Sequence, residues 1–219
     1  MPISEVFNID CMEGMAKYPD KYFELAIVDP PYGIGFGKFN RTNKTSNGTR
    51  YKANKYHHSN WDNSIPNEMY FDELFRVSKN QIIWGGNYFP YIWNYGGKGF
   101  IFWYKMNPVN NFSDGELAWS SFDKNAKCFE FKYYGNLEGK TSASDKIHPT
   151  QKPIALYKWL LTNYAKPGDK ILDTHLGSGS SRIAAYDMDF DFVGYELDKD
   201  YFVAQEKRYN DFKQQLKLF

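Results

Sequence analysis

The sequence predicts an α/β fold built on an open, mostly parallel twisted sheet with helices on both faces. Short apolar runs alternate along the chain with longer stretches whose apolar residues recur at helical spacing. Several apolar runs stop at Asp, Pro or Gly, as they do at Asp29 and Asp173. Strands that alternate with crossover helices pair in parallel and are covered by those helices. The pattern continues through 219 residues without a clear linker, so we expect a single domain, residues 1–219.

The first third of the chain contains two predicted strands. Val6–Ile9 is a short apolar run that ends at Asp10, and a stretch compatible with a helix follows to Tyr18. Glu24–Val28 is a second run, and it stops at a double proline. Two prolines prevent both further ladder pairing and a helix start, so this strand must end there.

The middle of the chain predicts a helix followed by four strands. Asn67–Ser78 has apolar residues at helical spacing. The strands are predicted at Gln81–Trp84, which two glycines end, and at Phe100–Trp103, Leu117–Phe122 and Phe129–Tyr134.

The last third alternates again between helices and strands. Ile154–Ala165 begins after Pro153 and ends before another proline, as helices commonly do. The remaining predicted elements are a strand at Ile171–Leu172, a helix at Ser180–Tyr186, a strand at Phe192–Tyr195 and a helix at Asp198–Leu216.

Composition excludes several classes of protein. No apolar run approaches the roughly 18 residues that a membrane span needs. The N-terminus lacks the basic and apolar regions of a secretion signal, and Cys11 and Cys128 are too few for a disulfide framework. The adjacent His57 and His58 side chains diverge, so we expect no metal site. These features predict a reduced, cytoplasmic protein.

A glycine motif follows the predicted strand that ends at Asp173. Gly177 and Gly179 allow the backbone to turn tightly and to approach a ligand. Glu196 ends the next strand, at a spacing that suits a carboxylate bonded to ribose hydroxyls. The motif alone is also compatible with an ordinary tight turn. Arg182 stands where a dinucleotide site needs a third glycine, so a ribose-containing ligand without a pyrophosphate fits better.

The motif Asp29-Pro30-Pro31-Tyr32 ends the second predicted strand. Its rigid backbone aims the Asp29 carboxylate and the Pro30 carbonyl at one point, where they can accept hydrogen bonds from an exocyclic amino group. Tyr32 offers a flat face for a base flipped out of a duplex. The alternative is a strand that ends at prolines, followed by a tyrosine in a turn.

Residues between Pro30 and Trp61 include no acid, although Lys plus Arg (27) and Asp plus Glu (26) nearly balance over the whole chain. Such a stretch can simply be a solvated loop, but its position beside the Asp29 motif favours contact with phosphates. We therefore expect a mobile, DNA-contacting loop at about residues 33–64 and a small recognition region at about 123–147. The candidate DNA-binding residues are Lys38, Arg41, Lys44, Arg50, Lys52 and Lys55.

Taken together, the motifs resemble the amino-directed DNA methyltransferases that use S-adenosylmethionine. The resemblance rests on DPPY at residues 29–32, HPTQKP at 148–153, DTHLGSGS at 173–180 and the acid at Glu196. The catalytic motif precedes the glycine motif, which is the permuted order of the group called beta class. The resemblance implies a Rossmann-like S-adenosylmethionine-dependent methyltransferase fold.

The resemblance also implies roles for the matching residues. The catalytic residues would be Asp29, Pro30, Pro31 and Tyr32, and the cofactor-binding residues Asp10, Thr150, Lys152, Asp173, Gly177, Gly179 and Glu196. Family members commonly carry proline and phenylalanine where Thr174 and His175 stand here. We expect His175 to be a neutral, packed loop residue.

The resemblance implies methyl transfer to the N6 amine of a flipped adenine in double-stranded DNA. Transfer to the N4 amine of cytosine stays open, because the acceptor pattern suits both amines. A catalytically inactive DNA-binding protein is the other alternative, although the intact Asp29 argues against it. A homodimer and a cognate restriction endonuclease, as in restriction-modification, are further partners that the family suggests.

Overall fold

One eight-stranded sheet forms the centre of the computed structural model, which describes residues 1–35, 62–106, 113–132 and 146–216. The strands are β1 (Ser4–Phe7), β2 (Phe23–Val28), β3 (Ser78–Trp84), β4 (Ile101–Tyr104), β5 (Gly115–Ser120), β6 (Lys127–Glu130), β7 (Lys170–Asp173) and β8 (Asp191–Tyr195). The helices are α1 (Cys11–Met15), α2 (Glu68–Val77), α3 (Ile154–Tyr164), α4 (Ser180–Asp187) and α5 (Lys199–Leu216), with 3-10 helices at Gly86–Tyr88 and Pro90–Tyr95.

The strand order is β1-β8-β7-β2-β3-β5-β4-β6. Among these strands only β5 runs antiparallel to its two neighbours, β3 and β4. The mostly parallel sheet is therefore confirmed. We call the edge where β2, β3, β7 and β8 end the carboxyl edge, and the opposite edge the amino edge. Because β5 is reversed, its first residues lie at the carboxyl edge.

Helices cover both faces of the sheet, which buries alternate residues of each strand against different partners. Leu25 and Ile27 of β2 pack in a core with α3 and α4. Their neighbours Ala26 and Val28 pack on the other face with α1 and α2. Strands buried on both faces explain the continuous apolar run in this part of the sequence.

Most predicted elements lie within two residues of their predicted ends. The strand predicted at Phe129–Tyr134 is an exception, because β6 covers Lys127–Glu130. The four residues of β6 pair one to one with those of β4, so the length of β4 limits the pairing. The two 3-10 helices were not predicted. Gly85 precedes them with a φ of 70°, which ends β3.

The described ranges contain no helix that is long and apolar enough to cross a membrane. A mobile loop was predicted at about residues 33–64. Only residues 33–35 and 62–64 of this stretch lie inside the described ranges, so its mobility stays a prediction.

Candidate active site

The Asp29 carboxylate lies at the carboxyl edge, directly after β2, and both of its oxygens have donors. The Tyr32 hydroxyl donates to Asp29 Oδ1 at 2.6 Å. Lys152 Nζ donates to Asp29 Oδ2 and also lies 3.3 Å from the Tyr32 hydroxyl oxygen. The structure thus brings together two predicted catalytic residues and one residue that was predicted to bind the cofactor.

Lys152 joins Asp29 to a second carboxylate that no motif contains. Its Nζ lies 3.1 Å from Glu116 Oε2, and the Lys152 side chain is only 3% exposed. Lys105 forms an ion pair with the other oxygen of Glu116. The cluster Asp29, Lys152, Glu116 and Lys105 therefore combines two carboxyl groups with two lysine amines.

Burial and ion pairing compete in setting the pKa values of this cluster. Burial raises the pKa of Asp29 above its ordinary value, although Lys152 opposes the shift. Burial also acts to raise the pKa of Glu116, but Lys152 and Lys105 outweigh it and lower this pKa to about 2. For Lys152, burial acts to lower the pKa, and the two carboxylates outweigh it, so the pKa is raised. Glu116 and Lys152 are therefore charged at neutral pH.

Asp62 fixes the backbone of the turn that carries Tyr32. Its Oδ1 accepts hydrogen bonds from the backbone N–H groups of Tyr32 and Gly33, both at 2.8 Å. Its own carbonyl accepts from the N–H of Gly35 at 2.8 Å. Asp62 is 2% exposed. Sequence reasoning missed this residue, and the available signal was that Asp62 is the first acid after the basic stretch.

The Tyr32 ring packs against the turn that follows β3. It stacks on Tyr88 with centroids 4.9 Å apart and planes inclined by 11°. A Cβ at Gly85 would lie 2.1 Å from Tyr32 Cε1, so the close approach requires glycine there. Tyr88 therefore covers one face of the Tyr32 ring.

Two glycines shape the loop between β7 and α4, and both have positive φ angles, 51° at Gly177 and 71° at Gly179. Glu196 closes this loop from the end of β8. Its Oε2 accepts from Gly177 N–H at 2.8 Å, and its Oε1 accepts from Asp198 N–H at 2.9 Å. Burial raises the pKa of Glu196 despite these hydrogen bonds. The carboxylate is thus oriented by backbone groups and has lone pairs left for a ligand.

Asp173 lies beneath the glycine loop and is 1% exposed. Its Oδ1 accepts from His175 N–H at 3.0 Å and its Oδ2 from the Ser181 hydroxyl at 2.5 Å. Burial raises the pKa of Asp173 to about 7. The first hydrogen bond lies within the loop and the second comes from the first turn of α4, so this side chain ties the loop to the helix.

Thr174 and His175 form a polar contact with Tyr70 of α2. The Thr174 hydroxyl lies 2.7 Å from the Tyr70 hydroxyl and 2.9 Å from His175 Nδ1. Burial lowers the pKa of His175 to about 4, so the imidazole is neutral at pH 7. This agrees with the expectation of a neutral, packed loop residue.

The other predicted cofactor residues have local partners. The Thr150 hydroxyl lies 3.1 Å from His148 Nδ1, and a Cβ at Gly177 would lie 3.7 Å from the His148 ring. This places the segment before α3 beside the glycine loop. Asp10 caps α1 by accepting from Met12 N–H at 2.7 Å. The six basic candidates Lys38, Arg41, Lys44, Arg50, Lys52 and Lys55 lie outside the described residues.

Comparisons with known proteins indicate the family of this chain. The family model of the N6 and N4 methylases, described as DNA methylase, matches residues 79–207, more than half of the chain. The Type II methyltransferase M.HinfI of Haemophilus influenzae is 26% identical over 96% of this chain and 69% of its own length.

Two solved structures share the fold. The complex of M1.HpyAVI with SAM is 21% identical and has a TM-score of 0.59, covering 93% of this chain and 98% of that one. The PvuII DNA methyltransferase, described as cytosine-N4-specific, is 13% identical with a TM-score of 0.61, covering 98% and 93%. These likenesses confirm the predicted Rossmann-like methyltransferase fold.

Proposed function

Because this chain belongs to the N6/N4 DNA methylase family, we propose that it transfers a methyl group from S-adenosylmethionine to the N6 amine of an adenine flipped out of double-stranded DNA. One observation carries the proposal. β2 and β7 are hydrogen-bonded neighbours in parallel, with Leu25 opposite Ile171. The Asp29 motif and the glycine loop therefore follow adjacent strands at the same edge of the sheet. Methyl transfer requires this, because the amine and the methyl donor must come into contact.

The adenine amine is a weak nucleophile because its lone pair is delocalised into the ring. Hydrogen bonds from its two hydrogens to the Asp29 carboxylate and the Pro30 carbonyl would localise that lone pair towards the methyl group. Pro31 keeps the motif extended, and Tyr32 stacks on the base. Asp29 acts by accepting hydrogen bonds and needs no covalent bond to the base.

The residues of the glycine loop fit S-adenosylmethionine. Both Glu196 oxygens accept backbone N–H groups, and the carboxylate keeps acceptor capacity for ribose hydroxyls. Gly177, Gly179 and Asp173 would line the methionine half of the cofactor. Asp10 would contact the adenine ring of the cofactor, and Thr150 and Lys152 would lie at its methionine end. The bound cofactor supplies an electrophilic sulfonium methyl group.

Methyl transfer to the N4 amine of cytosine is the second candidate. The family covers both amines, and one structural relative is a cytosine-N4-specific enzyme. The beta-class order, the homodimer, the cognate endonuclease and the division into one catalytic domain with a basic loop and a recognition region stay predictions.

The deciding experiment incubates the protein with methyl-labelled S-adenosylmethionine and unmethylated duplex DNA, and then separates the nucleosides. We expect the label in N6-methyldeoxyadenosine. Label in N4-methyldeoxycytidine would overturn the adenine assignment. The proposed activity would be overturned if a duplex library that contains all short sequences remained unlabelled.

Asp29→Ala tests the role of the carboxylate. We expect the transfer rate to fall by roughly a thousandfold, because one of the two acceptors is lost in the transition state. The cofactor dissociation constant should change by less than about threefold, because Asp29 is assigned to the base. The control is Asp123→Ala, whose carboxylate is 87% exposed in a surface pair with Lys98. An equal loss of cofactor affinity in Asp29→Ala would contradict the assignment.

A further inference from the structure

Glu116 has no role in any motif, yet it lies in the same charge cluster as Asp29. We propose that Glu116 is a positioning residue: it shares the Lys152 ammonium with Asp29 and takes it over when a target base binds. The inference rests on the proposed methyl transfer, and it concerns how Asp29 becomes available to the base.

The topology of the sheet explains why an isolated glutamate reaches the site. Glu116 is the second residue of β5, the strand that runs against its neighbours. It lies opposite Trp103 of β4, and Lys105 follows β4 at the same edge. The reversed strand β5 therefore begins at the edge of the sheet where the parallel strands end.

The contacts of Asp29 show why a second acceptor for Lys152 is needed. Tyr32 and Lys152 already donate to its two oxygens. Each oxygen keeps one lone pair, so a base amine can still bind there, but beside the Lys152 ammonium. The amine also gains positive charge as the methyl group arrives, and an ammonium held tightly on Asp29 opposes that charge. Lys152 must therefore weaken its hydrogen bond to Asp29 while another negatively charged group continues to stabilise its ammonium.

Glu116 meets this requirement. Its Oε2 lies 3.1 Å from Lys152 Nζ, so a small shift of the ammonium exchanges one carboxylate for the other. The Lys152 side chain is 3% exposed, which leaves little room for water to replace a carboxylate. The Trp84 and Tyr32 rings flank Nζ at 5.4 and 5.8 Å and keep it in place. Lys105 holds the other Glu116 oxygen.

Glu116→Gln keeps the shape of the side chain and removes its charge. Lys152 then has Asp29 as its only carboxylate in the cluster, so the single-turnover rate should fall roughly tenfold or more. The cofactor dissociation constant should stay within about twofold. The control Glu73→Gln makes the same chemical change and also breaks an ion pair, with Arg76 near the amino edge.

The pH profile separates this role from a merely structural one. Glu116 raises the pKa of Asp29 and Lys152 lowers it. Removal of Glu116 should therefore lower the pKa of Asp29 and move the acid limb of the rate to lower pH. The other titratable groups that interact with Asp29 are Tyr32, Tyr70, Tyr157 and Asp173. Glu116 also raises the pKa of Tyr32 and Tyr157, so its removal lowers both of these pKa values as well.

The proposal fails if Glu116→Gln turns over at the wild-type rate, or if its acid limb stays in place. The carboxyl-carbon NMR titration of Asp29 measures the same pKa without turnover. If the wild-type protein transfers no methyl group, the proposed function fails, and the titration still decides whether Glu116 acts on Asp29. Should Glu116→Gln not fold, Glu116→Asp keeps the charge and should retain most of the rate. A folded Glu116→Asp protein that loses as much activity as Asp29→Ala would oppose the proposal.

Discussion

Two backbone N–H groups hold the Glu196 carboxylate in one orientation at the end of β8. Orientation matters here because a ribose presents two hydroxyls in a fixed geometry. A carboxylate has two equivalent acceptor oxygens, whereas a glutamine side chain replaces one of them with a donor. A single atom therefore distinguishes a side chain that can receive both hydroxyls from one that cannot.

Glu196→Gln should raise the S-adenosylmethionine dissociation constant by roughly tenfold or more, because one ribose hydroxyl loses its acceptor. Isothermal titration calorimetry without DNA measures the effect. The matched control is Glu24→Gln at the amino edge, since Glu24 also accepts a backbone N–H, from Lys170 at 2.9 Å. Equal affinities in wild type and Glu196→Gln would remove the ribose assignment.

At the residue scale, the sequence predicted the site where a short motif kept its residues together. Asp29 and Tyr32 are three positions apart and hydrogen-bonded to each other. Asp62 and Glu116 were missed, because each is a lone acid whose importance depends on partners distant in the chain. Lys152 was predicted to bind the cofactor, and its ion pair with Asp29 follows only from the fold.

The turn after β3 supports the Asp29 motif as a unit. Gly85 has a φ of 70°, and the Tyr32 ring lies where a Cβ would be. Gly85→Ala should therefore combine backbone strain with a clash, and we expect a loss of about 2–4 kcal/mol in unfolding free energy. Methyl transfer should fall as well, because Tyr32 is displaced.

Gly168→Ala is the control for backbone strain alone. Its φ is 89°, and nothing lies within 4 Å of the added Cβ. We expect a loss of about 1 kcal/mol and a normal transfer rate. Urea unfolding and single-turnover assays measure both quantities. Similar losses of unfolding free energy in the two variants would show that the Tyr32 ring can move away from the added Cβ without destabilising the protein.

At the element scale, hydrophobic periodicity predicted the helices and strands because the sheet is buried on both faces. The direction of β5 could not be read from its sequence, since apolar spacing is the same for parallel and antiparallel strands. The length of β6 depends on β4, a partner strand that local pattern does not reveal. The 3-10 helices follow a glycine pair and a proline. These residues predicted that the strand ends there, but not the conformation of the segment that follows.

The whole molecule carries a net charge of +1, so any attraction to DNA must come from where the charges lie. The basic residues between Pro30 and Trp61 stay a prediction for that contact. Replacing Lys44, Arg50 and Lys52 by glutamine should weaken DNA binding at low salt. It should also reduce the slope of log K against log salt by about 0.9 for each lost phosphate contact.

The control removes the same total charge elsewhere. Lys79, Lys98 and Lys207 are exposed and paired with Glu24, Asp123 and Asp211. Their replacement by glutamine should leave the salt slope nearly unchanged, because surface pairs of this kind contribute little. Fluorescence anisotropy at several salt concentrations compares the two triple variants. Equal slopes in both would argue against a phosphate-contacting role for the basic stretch.

Asp62 joins the two ends of the chain segment that leaves and re-enters the sheet around the basic stretch. Its side chain holds Tyr32 and Gly33, and its carbonyl holds Gly35. Closing a longer loop between fixed ends costs only about 0.6 kcal/mol for each doubling of its length. A change in the length of the segment between these anchors is therefore expected to cost little free energy while Asp29 keeps its position.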